Sequence, residues 1–201
     1  TAGRVTIDGQ KAVTPAQFVA EGARVVVREG TPYVGRGALK LAAALDAFSV
    51  AVAGAASADI GAATGGFTEV LLERGAVKVY AIDTGRGKLA LKIRQDERVI
   101  VMEGTDVRDL ASLPEPIDLA VVDISLISLR DILPAVRRFL NLETPFPLGN
   151  GVSKLDGTVI ALFKPQYETR DASVLHHGVV RSDKARDALR LDYRQWAREN
   201  G

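Results

Sequence analysis

The chain has 201 residues, of which 47% are hydrophobic and 25% charged, and its formal net charge is +1. This composition supports one full hydrophobic core and gives no sign of disorder, while the nearly neutral balance argues against a protein that coats nucleic acid with its whole surface. Because there is no cysteine and only two histidines occur, disulfides, thiol catalysis and cysteine-ligated zinc are excluded, and we predict no metal site.

The sequence contains no recognisable membrane-spanning or signal segment. No uninterrupted apolar stretch reaches the roughly 18 residues that cross a bilayer. Residues 1–4 lack the charged-then-apolar layout of a signal peptide. We therefore predict a cytoplasmic protein with no membrane partner.

The N-terminal segment predicts a small β-structure. Residues 4–8 and 24–28 alternate apolar and polar side chains as short strands do, and Asp8-Gly9 is a turn sequence. The segment is too small for a core of its own. We therefore predict a boundary near Pro32, with residues 1–31 as a fragment of a module that begins before Thr1 and residues 32–201 as the main domain.

Two stretches are locally basic. Residues 1–40 and residues 78–98 each carry six Lys or Arg against three Asp or Glu, a net +3 by that count. Such an excess can attract a phosphate backbone. Solvated helix faces look the same, so both interpretations stay open.

A glycine-rich turn follows in the main domain, after a predicted helix over residues 35–48. The run 59–67 comes after a small apolar stretch and precedes a second helical pattern at 68–74. Glycines let a backbone approach a ligand closely, and the first amides of a helix are unpaired donors. The run therefore predicts a small-molecule site. Its glycines at 61, 65 and 66 do not match G-x-G-x-x-G, which disfavours a dinucleotide without excluding it.

Five apolar runs of strand length end on or near a charged residue. They cover residues 55–59, 77–83, 99–103, 117–123 and 158–164. Alternation of such strands with helices predicts an α/β fold with a parallel sheet covered on both faces. Ligands of such sheets bind outside the carboxyl ends of the strands, so we expect Asp59, Asp83, Asp106, Asp123 and Lys164 to lie along one edge.

These motifs together resemble a known family. The segments 33–40, 59–67, 80–83, 121–130 and 163–168 occur in the order found in the TlyA (hemolysin A-like) ribosomal RNA 2'-O-methyltransferases, which share the FtsJ-type S-adenosylmethionine fold. The resemblance implies a Rossmann-like methyltransferase domain. It also implies that the first 31 residues are similar to the second half of an S4 RNA-binding module.

The resemblance implies S-adenosylmethionine as cofactor. The glycine turn would hold its methionine portion, Asp59 would attract the ammonium or order water near it, and Asp83 would accept hydrogen bonds from both ribose hydroxyls. Asp106 would accept from the adenine amino group beside the Val107 amide. The remaining cofactor residues that we expect in the turn are Gly61, Ala62, Thr64, Gly65, Gly66 and Phe67.

The resemblance also implies the catalytic residues. The family uses a Lys-Asp-Lys-Glu tetrad, and Lys40, Asp123 and Lys164 match its first three members. Our hypothesis is that Lys164 takes the proton of the 2'-hydroxyl while Lys40 holds the ribose or a phosphate. Arg4, Lys11 and Arg36 are the candidate RNA-binding residues, and the partner would be ribosomal RNA in a ribosomal subunit.

Some positions depart from the family pattern. No residue matches the fourth member, a glutamate expected well beyond Lys164, because Glu168 is too near in sequence to belong to the same element; we expect the domain to be truncated at its C-terminus. The alternatives are a methyltransferase for a small molecule or protein, a non-catalytic RNA-binding or ribosome-associated protein that keeps the fold, and a membrane-lytic hemolysin, for which the sequence offers no segment.

Overall fold

A small antiparallel sheet opens the chain. The structure, a computed structural model, describes residues 5–14, 16–27, 33–142 and 157–200. Strands β1 (Val5–Ile7), β2 (Gln10–Lys11) and β3 (Val25–Val27) pair in the order β2-β1-β3. Asp8 and Gly9 turn between β1 and β2 with φ of 48° and 83°, as the turn sequence predicts. Both predicted strands are present in shorter form; Arg4 and Arg28 lie outside the described residues. The S4-like interpretation stays a prediction.

The main domain is built on a parallel sheet of five strands. Their order is β6-β5-β4-β7-β8, and all four pairings are parallel. The strands are β4 (Ala56–Ile60), β5 (Lys78–Asp83), β6 (Val99–Glu103), β7 (Leu119–Val122) and β8 (Thr158–Ala161). The predicted α/β class with a mainly parallel sheet is therefore confirmed.

Two strands are three residues shorter than the apolar runs that predicted them. The run at 117–123 gives a ladder over four residues only, because Ile117 pairs with Leu140 as an isolated bridge and Asp123 lies beyond the last paired residue. The run at 158–164 ends as a strand at Ala161. Lys164 instead precedes a short helix that has Pro165 at its first position, where proline is tolerated because no amide is required there.

Helices cover both faces of the sheet. They are α1 (Ala38–Ala47), α2 (Gly66–Glu73), α3 (Leu91–Arg94), α4 (Leu129–Arg137), α5 (Pro165–Glu168) and α6 (Asp183–Asn200), and a hairpin of β9 (Leu175–His176) and β10 (Val179–Val180) precedes α6. Helix α1 begins three residues later than predicted and α2 two residues earlier, at Gly66.

The core consists of two apolar layers, one on each face of the sheet. Leu41 of α1 and Leu71 of α2 lie in the first layer, while Ile132 and Val136 of α4 lie in the second. Neighbouring residues of each strand alternate between the layers because side chains of a strand point to opposite faces. None of the described helices combines the length and apolar composition that a membrane span requires.

The strand order fixes where a ligand can bind. Chain order runs outward from β4 in both directions, through β5 and β6 on one side and through β7 and β8 on the other. In open sheets the crevice at such a reversal, outside the carboxyl ends of the strands, is the usual ligand site. Here it lies between the ends of β4 and β7, at Ile60 and Val122.

Candidate active site

The glycine turn joins β4 to α2 at this crevice. Gly61 has φ of +88°, and its amide donates to the Ile82 carbonyl over 2.8 Å. A Cβ at this position would lie 2.6 Å from the backbone oxygen of Asp123, which real side chains cannot approach. Both conformation and space therefore require glycine at 61, as a close approach of two backbones does.

Asp59 lies beneath the turn and anchors α2. Its side chain is fully buried, and its Oδ2 accepts hydrogen bonds from the Thr68 amide at 2.9 Å and the Thr68 hydroxyl at 2.7 Å. Its Oδ1 has no donor among the described residues. Burial raises the pKa of Asp59 to about 7, against the Thr68 hydrogen bonds, which lower it; the nearby carboxylates of Asp123 and Asp83 raise it further. One buried acceptor is thus left for a donor from outside the chain.

Asp83 ends β5 and faces the crevice with partners already in place. Its Oδ2 accepts from the Ala63 amide at 2.9 Å, and its Oδ1 accepts from the Gly85 amide at 2.6 Å and from the Lys88 ammonium at 3.1 Å. Burial raises the pKa of Asp83. The two amides and Lys88 together lower it by more than burial raises it, so the pKa lies below the ordinary value. The carboxylate is therefore held as an anion in a fixed orientation.

Asp106 and Val107 lie on the same side of the crevice as Asp83. Asp106 is paired with Arg108 at 2.6 Å, and its Oδ1 also accepts from the Arg108 amide at 2.9 Å. The Arg108 side chain, then its amide, holds the pKa of Asp106 below the ordinary value. Val107 is buried. The predicted adenine contact would have to share a carboxylate that Arg108 already holds.

Lys40, Asp123 and Lys164 come together in space although they lie far apart in the sequence. Asp123 Oδ1 lies 2.6 Å from Lys164 Nζ, and Asp123 Oδ2 lies 3.6 Å from Lys40 Nζ. Lys40 is on α1, Asp123 follows β7, and Lys164 follows β8. One carboxylate therefore faces two ammonium groups, one at each oxygen.

The two lysines differ in environment. Lys164 is 19% exposed, and its ammonium also donates to the Ile124 carbonyl at 2.6 Å and the Ser125 hydroxyl at 2.9 Å. An ammonium has three protons, so these two acceptors and Asp123 engage all of them. Lys40 is 54% exposed. Lys40 is thus the lysine open to a substrate, and Lys164 the one fixed by the protein.

Two cavities of about 540 Å³ each meet at this site. Both are lined by Gly61, Ala63 and Asp123. The first also contains Asp83, Lys88, Asp106, Val107 and Ser125, and the second contains Arg36, Lys40, Ala62, Thr64, Gly66 and Phe67. A ligand in the first cavity would thus adjoin a ligand in the second at the Asp123 carboxylate.

Some predicted residues lie elsewhere. Gly65 borders neither cavity and packs against Leu89 and Ile93, where a Cβ would come within 2.9 Å of the leucine. Lys11 is an exposed residue of β2, away from both cavity linings. Arg4 is outside the described residues. Asp59 is fully buried and lines neither cavity. The predicted contacts of these four residues with cofactor or RNA stay predictions.

Three contributions to the site were not predicted from the sequence. Lys88 reaches back to Asp83, Ser125 binds Lys164, and Glu168 holds the loop next to it. Ser125 lies within the segment 121–130, one of the motifs that carry the family resemblance, and that motif could have indicated a role for it. Lys88 lies in a basic stretch that was equally consistent with a solvated surface.

Comparisons with known proteins agree with this geometry. A family model described as FtsJ-like methyltransferase matches residues 33–199. The 16S/23S rRNA (cytidine-2'-O)-methyltransferase TlyA of Mycobacterium tuberculosis is 43% identical over 206 aligned residues, which cover 100% of this chain and 71% of that protein. Hemolysin A of Brachyspira hyodysenteriae is 34% identical, with 94% of this chain and 74% of that protein covered.

A solved structure is similar over nearly the whole chain. It comes from Streptococcus thermophilus and is provisionally assigned as a hemolysin. The TM-score is 0.74 at 34% sequence identity, with 98% of this chain and 68% of that chain covered.

Proposed function

The chain belongs to the FtsJ-like methyltransferase family and, within it, to the TlyA rRNA 2'-O-methyltransferases, and from that premise we propose that it methylates a ribose 2'-hydroxyl of ribosomal RNA with S-adenosylmethionine as donor. The observation that carries the proposal is that Lys40 and Lys164 both pair with Asp123, the carboxylate at which the two cavities meet. The first cavity suits the nucleoside part of the cofactor. The second cavity, which Ala62, Thr64, Gly66 and Phe67 of the glycine turn line, suits its methionine portion beside the substrate nucleotide.

The residues of the first cavity fit S-adenosylmethionine by their chemistry. Asp59 lines neither cavity but lies beneath the glycine turn, and its buried Oδ1 lacks a donor among the described residues, a donor that an ammonium group would supply. Asp83 is an anion with acceptor capacity for ribose hydroxyls. Gly61 lines both cavities and presents only backbone atoms to a ligand. When bound, S-adenosylmethionine supplies an electrophilic methyl group on its sulfonium sulfur.

The chain's own residues would then align the attacking oxygen and take its proton. We assign the proton to Lys164 Nζ, since Asp123 Oδ1, the Ile124 carbonyl and the Ser125 hydroxyl bind the ammonium that results. Lys164 would enter the reaction as the neutral amine. Lys40, open to the second cavity, would hold the ribose or a phosphate by its free donors. Positioning and proton transfer together are the usual contributions of such a site.

The substrate side is the second cavity. Arg36 is exposed at its rim with Lys40 beside it, and two cations at the mouth of a cavity favour a phosphate backbone. We propose in addition that residues 1–31 form an S4-like RNA-binding piece, with Lys11 exposed on β2 as one phosphate contact. TlyA of Campylobacter jejuni, 35% identical over 80% of this chain, is described as acting on 23S rRNA, which favours an RNA of the ribosome.

The test separates cofactor binding from transfer. Calorimetric titration with S-adenosylmethionine should show binding, and tritium should pass from methyl-labelled cofactor to undermethylated ribosomal RNA or ribosomal subunits. A 2'-O-methyl group blocks alkaline cleavage of the next phosphodiester, so the labelled product should be an alkali-resistant dinucleotide. Label recovered on a base would contradict the proposal. Binding without any transfer would favour the alternative of a non-catalytic RNA-binding protein that keeps the fold.

A further inference from the structure

The two ends of helix α5 are marked by charged side chains that bind the same loop. Lys164 directly precedes the helix and Glu168 is its last residue. Both side chains reach the same segment, the loop from Asp123 to Ser128 that joins β7 to α4. Lys164 binds the beginning of that loop, while Glu168 accepts hydrogen bonds at its end, from the Ser128 hydroxyl at 2.6 Å and the Leu129 amide at 2.8 Å.

Glu168 is buried in a way that demands an explanation. Its side chain is 1% exposed, and a buried carboxylate is costly unless hydrogen bonds and charges compensate. The compensation comes from the first turn of α4, whose unpaired amides favour an anion, and from Arg130, whose Nε lies 3.9 Å away. Arg130 is itself paired with Asp192 at 2.6 Å. The hydrogen bonds and the ion pair of Glu168 therefore hold a loop beside Lys164.

The loop between the two attachments is strained. Leu126 has φ of +71° and is 87% exposed. A residue with a branched side chain is disfavoured in this conformation. Contacts at the two ends of the loop must therefore maintain its shape, and among the described residues Lys164 and Glu168 supply such polar contacts, one at each end.

We propose that Glu168 is a positioning residue for Lys164, an inference that rests on the function proposed above. The acceptors at Ile124 and Ser125 attract Lys164 strongly as an ammonium and much less as a neutral amine. In the state that must receive a proton, the contact between Lys164 and the loop is therefore weakest. The Glu168 hydrogen bonds do not depend on that proton, so they keep the loop in register when Lys164 is neutral.

The test measures Lys164 directly, without RNA or cofactor. Competitive labelling with acetic anhydride over a series of pH values, followed by mass spectrometry, gives the reactivity of each lysine amine. Lys40 is the internal reference, because its ion pair with the loop involves only the first loop residue, Asp123, at 3.6 Å. Glu168→Ala should raise the labelling rate of Lys164 relative to Lys40 several-fold. Glu168→Gln should have a smaller effect, since its amide oxygen can still accept from Leu129.

Activity provides a second readout. Glu168→Ala should lower kcat by an order of 10- to 100-fold, as small misplacements of reacting groups do, with little change in KM for RNA and a shifted pH profile. The matched control is Asp118→Ala, which removes the carboxylate that accepts from the Ala56 amide (2.9 Å) at the far end of the sheet. That variant should lose stability only.

The outcomes distinguish the two proposals. An unchanged Lys164-to-Lys40 labelling ratio in folded Glu168→Ala would overturn the positioning role, even if methyl transfer is observed. A changed ratio in a protein whose parent transfers no methyl group would support the positioning role and refute the proposed function. If Glu168→Ala does not fold, Ser128→Ala removes one of the two hydrogen bonds and must give a rise in the same ratio.

Discussion

The backbone oxygen of Asp123 lies so close to Gly61 that a Cβ on the glycine would come within 2.6 Å of it. The glycine turn and the Asp123 segment are therefore parts of one packed unit, although they follow different strands. A change at the turn must be transmitted to the carboxylate, because backbone atoms cannot yield as a flexible side chain can.

Gly61→Ala should therefore abolish methyl transfer and destabilise the fold by about 2–4 kcal/mol, through backbone strain and displacement of the Asp123 segment. The matched control is Gly54→Ala. Gly54 has nearly the same φ, +84° against +88°, but no atom lies within 4 Å of its added Cβ. That control should lose about 1 kcal/mol and keep its activity. Urea unfolding and tritium transfer measure the two effects; equal losses in both variants would contradict the packing argument.

Substitution of Lys164 by arginine tests its role as a base. Arginine retains donors for Asp123 and the loop but does not deprotonate in proteins. If Lys164 takes the hydroxyl proton, Lys164→Arg and Lys164→Ala should both lower kcat by about 10²- to 10⁴-fold, while calorimetry shows cofactor binding retained. Substantial activity in the arginine variant would assign Lys164 to charge stabilisation instead. Lys40→Arg should lose less, because holding a phosphate requires only a cation.

The buried Asp59 predicts an unusual pH dependence of stability. Its pKa is raised from 3.8 to about 7 by burial, so the folded protein binds a proton there more tightly than the unfolded chain. Its contribution to stability is therefore fully present below about pH 4 and is lost as the pH rises toward 7. From pH 5 to pH 8 the parent should lose roughly 2–3 kcal/mol relative to Asp59→Asn.

Urea unfolding at the two pH values measures this difference. The control is Asp171→Asn, because the pKa of Asp171 is lowered by Ser173, and its contribution is complete above the unfolded value. That variant should parallel the parent over the same range. A parallel course for Asp59→Asn would contradict the raised pKa.

The contribution of Glu103 to stability should depend on pH in the opposite direction to that of Asp59. Its pKa is lowered from 4.5 to about 2, first by Arg94 and then by the amides of Gly87, Leu89 and Lys88. Its contribution is present above pH 4.5 and is lost as the pH falls toward 2. Glu103→Gln should therefore flatten the acid branch of the stability curve, followed by circular dichroism.

The same variant should speed hydrogen exchange at the loop amides that Glu103 accepts from. Glu115→Gln is the control, because Glu115 binds Lys78 and Tyr80 instead and should leave those amides unchanged. Exchange that is equal in both variants would show that Glu103 does not order the loop.

Arg36 should contribute to RNA binding without affecting the cofactor. It is exposed at the second cavity, and one lost phosphate contact reduces the salt dependence of binding by about one unit of slope. Arg36→Ala should raise KM for RNA and leave the affinity for S-adenosylmethionine unchanged. Arg190→Ala, an exposed arginine of α6 paired with Asp187, is the control. An equal change of slope in both variants would indicate a general charge effect.

The sequence predicted the parts of the site that follow from sheet topology. Asp123 and Lys164 follow the ends of the neighbouring parallel strands β7 and β8, and such strand ends meet at one edge. Their convergence was therefore predictable before any coordinates, and so was that of Asp83 on the other side of β4. Lys40 was placed by resemblance alone, because nothing in a helical pattern indicates which sheet edge its residues approach.

The rest depends on loop conformation, which sequence patterns do not specify. The contact of Lys88 with Asp83 requires a particular turn between them. The contact of Glu168 with Ser128 joins residues 40 positions apart. Asp59 was expected to face the cofactor, yet one of its oxygens is used by Thr68 to fix the start of α2. Whether such a hydrogen bond forms depends on the positions of its donor and acceptor to within about an angstrom.

The valines of β3 have a practical consequence. Val25, Val26 and Val27 are 50%, 38% and 66% exposed, on a strand at the edge of its sheet. A short apolar edge strand offers its amides and carbonyls to any neighbouring molecule, and a sheet with strands of two or three residues has little stability of its own. A peptide limited to the first 32 residues should therefore aggregate at high concentration, whereas Val26→Lys should keep it soluble.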